Sequence, residues 1–162
     1  MKRRDVLGSL ATAFFLLSSY GVSADAPKLL LEGDIATEGP LTFTLESLAE
    51  FEQQTFNTST NWTKGTHAFS GPTLWQVLQE HGAGEGDLEL EAANNYRVTV
   101  DRALVTEDAP IIATHIDGET FGPRNKGPFW VIFPYDSSPD YQSEVVFAAS
   151  VWQLNSITVL KD

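Results

Sequence analysis

Residues 121–135 read Phe-Gly-Pro-Arg-Asn-Lys-Gly-Pro-Phe-Trp-Val-Ile-Phe-Pro-Tyr, and this stretch decides the fold class. Phe129, Trp130, Val131, Ile132 and Phe133 form an unbroken apolar run, bounded by Gly127-Pro128 before it and Pro134 after it. A short run of aromatic and β-branched side chains between turn formers reads as a buried strand. Being the most apolar run after the leader, it is the expected central strand.

Upstream of that run, Ile111-Ile112-Ala113-Thr114 is a second buried strand candidate, and Asp117-Gly118 is a tight-turn signal. Leu88 to Ala92 and Tyr96 to Val100 alternate apolar and polar residues on either side of Asn94-Asn95, which predicts a hairpin. Ser70-Gly71-Pro72 opens a helix whose apolar face is Leu74, Trp75, Val77 and Leu78, with Gly82 as its stop. Thr55 to Gly71 is a Thr-, Asn-, Ser- and Gly-rich stretch carrying Trp62, His67 and Phe69. Loops that long are usually functional or hide unrecognised strands. Nearer the start, residues 28–33 and 41–45 read as strands, and Leu45, Leu48 and Phe51 repeat at helical spacing over about residues 45–53. Residues 152–160 supply a last strand. Many short strands with two or three short helices predict an α+β fold.

The first residues carry Lys2, Arg3 and Arg4, then an apolar run from Val6 to Leu17, then Val22-Ser23-Ala24. That is the layout of a secretory signal peptide cleaved after Ala24, and the apolar run is shorter than the roughly 20 residues of a membrane span. The expected organisation is a signal peptide over residues 1–24 and one domain over 25–162, exported to the periplasm. Arg3-Arg4 leaves both the general secretory and the twin-arginine route open.

The leader holds three of the ten basic residues and one of the twenty-two acidic ones, so its removal leaves a net charge of −14. Such a charge repels phosphate backbones and anionic lipid, which argues against nucleic-acid or peripheral membrane binding. The sequence has no cysteine, hence no disulfide, no thiolate nucleophile and no thiolate metal ligand. His67, His81 and His115 lack metal-ligand spacing, and neither a Gly-x-Ser-x-Gly elbow nor a phosphate-cradling glycine loop is present.

In so acidic a chain Arg124 and Lys126, two of seven basic residues outside the leader, stand out. They either capture an oxygen-rich ligand edge by directed hydrogen bonds or neutralise nearby carboxylates. Trp62, Tyr96, Phe129, Trp130 and Trp152 supply aromatic surface, some of it core and some of it available to line a pocket.

Thr60-Asn61-Trp62-Thr63, Phe69-Ser70-Gly71-Pro72, Ala93-Asn94-Asn95-Tyr96, Arg124-Asn125-Lys126-Gly127-Pro128-Phe129-Trp130, Pro134-Tyr135-Asp136 and Trp152-Gln153-Leu154 occur in that order. The ordered set resembles the molybdopterin-binding domain of the sulfite oxidase superfamily, and most closely its small stand-alone exported members. The Lys-Gly-Pro-aromatic-Trp block followed by Pro-Tyr-Asp is the most specific piece.

The resemblance implies a β-rich, barrel-like core. It also implies a cysteine bound to molybdenum roughly where Thr58 to Thr60 stand here, a bond this sequence cannot make. What it implies instead is a non-catalytic pterin-binding protein that passes pterin occupancy to a membrane signalling partner, such as the periplasmic domain of a cyclic-di-GMP enzyme. The alternative is a molybdopterin-dependent oxidoreductase subunit. A pterin requires an aromatic stack, for which Trp62 or Trp152 is suited, with Tyr96 and Phe129 nearby in sequence to the polar candidates. Its amino group and ring N–H require acceptors, for which Asn94, Asn95 and Asp136 are suited. Its oxo group requires a donor, from Arg124, Lys126 or the backbone around Gly127. Asn61 and His67, in the long polar stretch, complete the candidates.

Overall fold

The computed structural model describes residues 26–162, so the expected signal peptide lies outside the described residues. Eleven strands and three short α-helices are present among them.

A five-stranded sheet is built from β1 (Leu29–Gly33), β2 (Leu41–Phe43), β5 (Leu88–Ala92), β6 (Arg97–Val100) and β11 (Leu154–Val159), in the order β2-β1-β11-β5-β6. β1 and β11 run parallel, while the other pairs are antiparallel. The predicted hairpin is therefore present, with Leu88 opposite Val100 and Leu90 opposite Val98. Leu29, Leu31, Leu88 and Leu90 alternate with half-buried neighbours along their strands and are themselves fully buried, which fixes the sheet's inner face.

The Thr-rich stretch after residue 53 is a hairpin. β3 (Gln54–Ser59) pairs antiparallel with β4 (Thr66–Gly71) across a six-residue connection, and β4 pairs with β8 (His115–Ile116), which pairs with β9 (Glu119–Thr120). Threonine favours a half-buried pleated surface, so a polar-looking run can pair as strands. Gly71 ends β4 because any side chain there collides with a neighbouring strand: an added Cβ would sit 1.9 Å from the Ile112 carbonyl oxygen.

The apolar run of residues 129–133 is strand β10 (Trp130–Ile132), and it corrects one expectation. β10 pairs with β7 (Ile111–Ala113) in a two-stranded sheet and makes a single bridge from Trp130 to Trp152, and the middle of the large sheet is taken by β11. All three residues of β10 are buried, and its second edge is met by the segment before β11, where the Val131 amide donates to the Val151 carbonyl and the Leu154 amide to the Phe129 carbonyl. A second correction concerns the barrel-like core. The described strands form three separate sheets, and none closes on itself, so the architecture is an open α+β arrangement around one shared core.

Helix α1 (Leu45–Leu48) starts where expected but stops early. Thr44 and Ser47 form a reciprocal cap at its start, and the Gln53 side chain donates to the Leu48 and Phe51 carbonyls, which turns the chain toward β3. Helix α2 (Leu74–Glu80) is capped by Thr73, whose hydroxyl accepts from the Gln76 amide, and it buries Leu74, Val77 and Leu78. A third helix, α3 (Glu144–Ala149), follows Ser143 and has no counterpart in the sequence reading.

Candidate functional site

Four aromatic rings gather where the β3–β4 connection, α3 and the start of β11 meet. Trp62, in the connection, stands edge-on to Trp152 at 5.6 Å between centroids, to Trp130 at 5.9 Å and to Phe147 at 6.0 Å. Edge-to-face pairs at such spacings place a positive ring edge against a negative ring face, worth about 0.5–1.5 kcal/mol each beyond burial. Trp130 is the fully buried base of the group; its indole N–H donates to the Ser150 carbonyl at 3.2 Å. Trp62 and Trp152 are only half-buried.

Beside them opens a recess of about 250 Å³, lined mainly by Trp62, Trp152, Tyr96, Phe147, Val151 and Asn94. Pockets for drug-sized molecules run from about 300 Å³ upward, so this one suits a small flat ring. Tyr96 reaches across to α3, its hydroxyl donating to the Ala148 carbonyl at 3.2 Å. The Asn94 side chain accepts from the Tyr96 amide at 3.1 Å, and Asn95, with φ of 65°, makes the turn behind it.

Lys126 adopts a left-handed backbone with φ of 70°, and its ammonium stands 6.0 Å from the centroids of both Trp130 and Trp152. Lys126 is half-buried, and its carbonyl accepts from the Gln153 amide, which ties residue 126 to the segment bearing Trp152 just before β11. A cation facing two indoles at that distance is held by their quadrupoles. Arg124 sits one turn away and is exposed; neither cation makes an ion pair with a described carboxylate.

A second, polar recess of about 190 Å³ adjoins the first. It is lined by Ser59, Thr60, Asn61, Tyr135, Asp136 and Gln142, with Phe147 as a wall common to both. Asp136 accepts from the Ser59 amide at 2.6 Å and from the Ser59 hydroxyl at 2.7 Å, and these bonds hold its carboxyl below the usual carboxylate range. Thr60 accepts from the Trp62 and Thr63 amides, which folds the connection so that Trp62 turns inward.

The expected site residues therefore divide. Trp62, Trp152, Asn94 and Tyr96 line the aromatic recess, Lys126 lies against its tryptophans, and Asn61 and Asp136 line the polar one. Phe129 and Gly127 are buried in the interior; an added Cβ at residue 127 would stand 1.9 Å from the Phe121 carbonyl oxygen. His67 stands apart. Its Nδ1 meets Asp117 Oδ2 at 2.7 Å and its Nε2 meets the Lys64 carbonyl at 2.9 Å, and the Asp117 bond raises its pKa. Phe147, on α3, and Gln142 and Val151, on either side of it, were missed, because the only signal for that helix is Ser143 followed by an acidic residue.

No protein-family model matches this sequence, and no curated protein matches it. Among solved structures it is similar to the crystal structure of the sulfane dehydrogenase SoxCD from Paracoccus pantotrophus, with a TM-score of 0.61 and 19% identity. The likeness is a distant sulfite-oxidase-type fold. It covers 84% of this chain but only 38% of that one, so the chain spans well under half the length of this neighbour.

The residues present do not fit the molybdenum that the sequence resemblance implies. Thr58, Ser59 and Thr60 offer hydroxyls where a soft thiolate is required, and the Thr58 hydroxyl is already engaged by the Ser59 carbonyl and the Asp136 amide. Among the described residues no group of three His, Asp or Glu side chains is arranged to hold a metal ion.

Proposed function

We propose that this chain is an exported, non-catalytic pterin-binding protein that takes the bicyclic ring into the recess beside Trp62 and Trp152. The observation that carries the reading is two half-buried indoles lining one small recess, in a fold of the sulfite oxidase type whose metal-binding thiolate is missing. The rings provide stacking surface. The Asn94 side chain provides acceptor capacity for the amino group, and the ammonium of Lys126 provides a donor and a positive field at the tryptophan wall. In this proposal the protein is periplasmic and reports occupancy to the periplasmic domain of a membrane signalling protein, such as a cyclic-di-GMP enzyme. Tyr96 and α3, both at the recess and both partly exposed, are the elements a ligand would reposition.

The test is calorimetric titration of the chain with oxidised and reduced pterins. Saturable one-to-one binding is expected, weakened about tenfold or more in Trp62→Ala and Trp152→Ala, since a lost stack and its burial exceed about 1.4 kcal/mol. No heat with any pterin at high micromolar concentration rejects the proposal.

A further inference from the structure

Strand β3 lies at the edge of the sheet ordered β3-β4-β8-β9, and β4 is its strand partner among the described residues. Along an antiparallel pair the backbone groups of alternate residues point toward the partner and away from it. The Ser59 amide points away, donating to Asp136. On the facing strand, Ala68 and Ser70 stand opposite Asn57 and Thr55, and their carbonyls accept on the far side, from the Asp117 and Thr114 amides. The backbone N–H and C=O groups of Thr55 and Asn57 therefore face away from β4, and they have no backbone partner among the described residues.

Proteins usually blunt such edges with short strands, charge, proline or cover. The other strands at a sheet edge, β2, β6, β7, β9 and β10, have two to four residues each. β3 has six, and Gln54-Thr55-Phe56-Asn57-Thr58-Ser59 contains neither a charged residue nor a proline. Its far end is covered, because the Asp136 amide donates to the Thr58 hydroxyl. The half from Gln54 to Asn57 has no such cover.

Gln54 also lines a recess of about 370 Å³, together with Glu52, Trp75, Glu107 and Asp108. The three carboxylate residues are exposed and form no ion pair among the described residues, and the lining contains no Lys, Arg or His. Carboxylates beside a half-buried indole suit a guanidinium or ammonium group, held by charge and by the ring quadrupole while its stem lies on apolar surface.

We infer that the open half of β3 and this acidic recess form one docking surface for an extended, basic segment of a partner polypeptide. The segment adds a strand on Thr55 and Asn57 and places an arginine or lysine among Glu52, Glu107 and Asp108. The edge alone accepts any extended chain; the recess at its end selects a basic one, in a protein whose formal net charge is −12. The inference does not rest on the pterin reading, since the surface shares no residue with the aromatic recess.

The probes are peptides of alternating threonine and valine carrying two arginines at the N-terminal or the C-terminal end, the same peptides with glutamates in place of the arginines, and arginine amide, each titrated into the chain and followed by NMR. One arginine peptide is expected to shift the Trp75 indole N–H and to protect the Thr55 and Asn57 amides from hydrogen exchange. Its affinity should exceed those of the matching glutamate peptide and of arginine amide by about tenfold or more, and should fall as salt is added. Glu107→Gln combined with Asp108→Asn should remove most of the preference for arginine over glutamate. Asn57→Pro deletes an outward N–H and no bond to β4, so it should remove the advantage of the peptide over arginine amide. Equal affinity for the arginine and glutamate peptides overturns the inference. Arginine amide binding as tightly as the peptides reveals a small-cation pocket without strand addition, and overturns it too. So does the failure of both arginine peptides to bind at millimolar concentration, or preferences left unchanged in both variants.

Discussion

Tyr135 is 3% exposed, and its hydroxyl donates to Ser150 Oγ at 2.6 Å, which in turn donates to the Val146 carbonyl at 2.7 Å. Burial pushes its pKa from 10.0 up to about 12. The folded chain therefore holds the phenol proton more tightly than the unfolded chain does. Stability is unaffected below pH 10 and falls as pH rises from there toward 12, by roughly 3 kcal/mol at about 1.4 kcal/mol per pH unit. Denaturant unfolding between pH 8 and 12 should show that decline, and Tyr135→Phe should flatten it while costing about 0.5–1.5 kcal/mol at neutral pH. His67 shows the same direction at lower pH. Its folded pKa is raised by Asp117, so its contribution is complete below the ordinary value of 6.5 and is lost as pH rises through the raised one. Asp117 is correspondingly lowered, and its share is lost only as pH falls through that lowered value. Proton NMR should find His67 titrating above 6.5, with Asp117→Asn bringing it down. The sequence made Trp62, Trp152 and Lys126 legible because aromatic and cationic residues are conspicuous in an acidic chain. It concealed the engagement of His67, because Asp117 lies fifty residues away and is brought to it only by the pairing of β4 with β8.

Helix α3 is too short to be stable by itself, and it stands because Val146 and Ala149 are buried and Ser143 caps it, accepting from the Val146 amide. Ser143→Ala should cost about 1 kcal/mol and raise hydrogen exchange over Glu144–Ala149. Because Phe147 walls both recesses, pterin affinity should fall with it. Unchanged exchange would show that the helix does not depend on its cap. In β4 the limit is steric. Gly71→Ala forces a Cβ onto the Ile112 carbonyl oxygen, and a loss of about 1–3 kcal/mol is expected in denaturant unfolding. Elements with clean alternation or apolar spacing were legible: β5, β6, the apolar face of α2 and the start of α1; the opening of α2 was misplaced at Ser70-Gly71-Pro72, since Ser70 and Gly71 end β4 and Thr73 is the cap. β3 and β4 were not, since threonine and asparagine mask strand pairing as loop composition, and α3 was not, since six residues hold too little periodicity. The place of β10 was misread for a different reason. Continuous apolarity reports burial on both faces, and helices and neighbouring sheets can bury a strand as completely as flanking strands do.

At the scale of the whole molecule, three sheets share one core, and the two adjoining recesses lie where the β3–β4 connection, α3 and the start of β11 converge. The α+β class followed from counting short strands, whereas the absence of barrel closure depends on which edges pair, and one sequence does not encode that visibly. The acidic recess, lined by Glu52, Glu107, Asp108 and Trp75, provides an internal control, because it carries the chain's other half-buried indole in a setting that shares no residue with the proposed pterin site. The four indole N–H resonances of this chain, assigned by single substitution and followed during addition of neopterin, read the central claim directly. Stacking of the ring in the aromatic recess moves the Trp62 and Trp152 signals saturably and leaves Trp75 in place. Movement of Trp75 alone, or of no indole at a large excess of ligand, would contradict it.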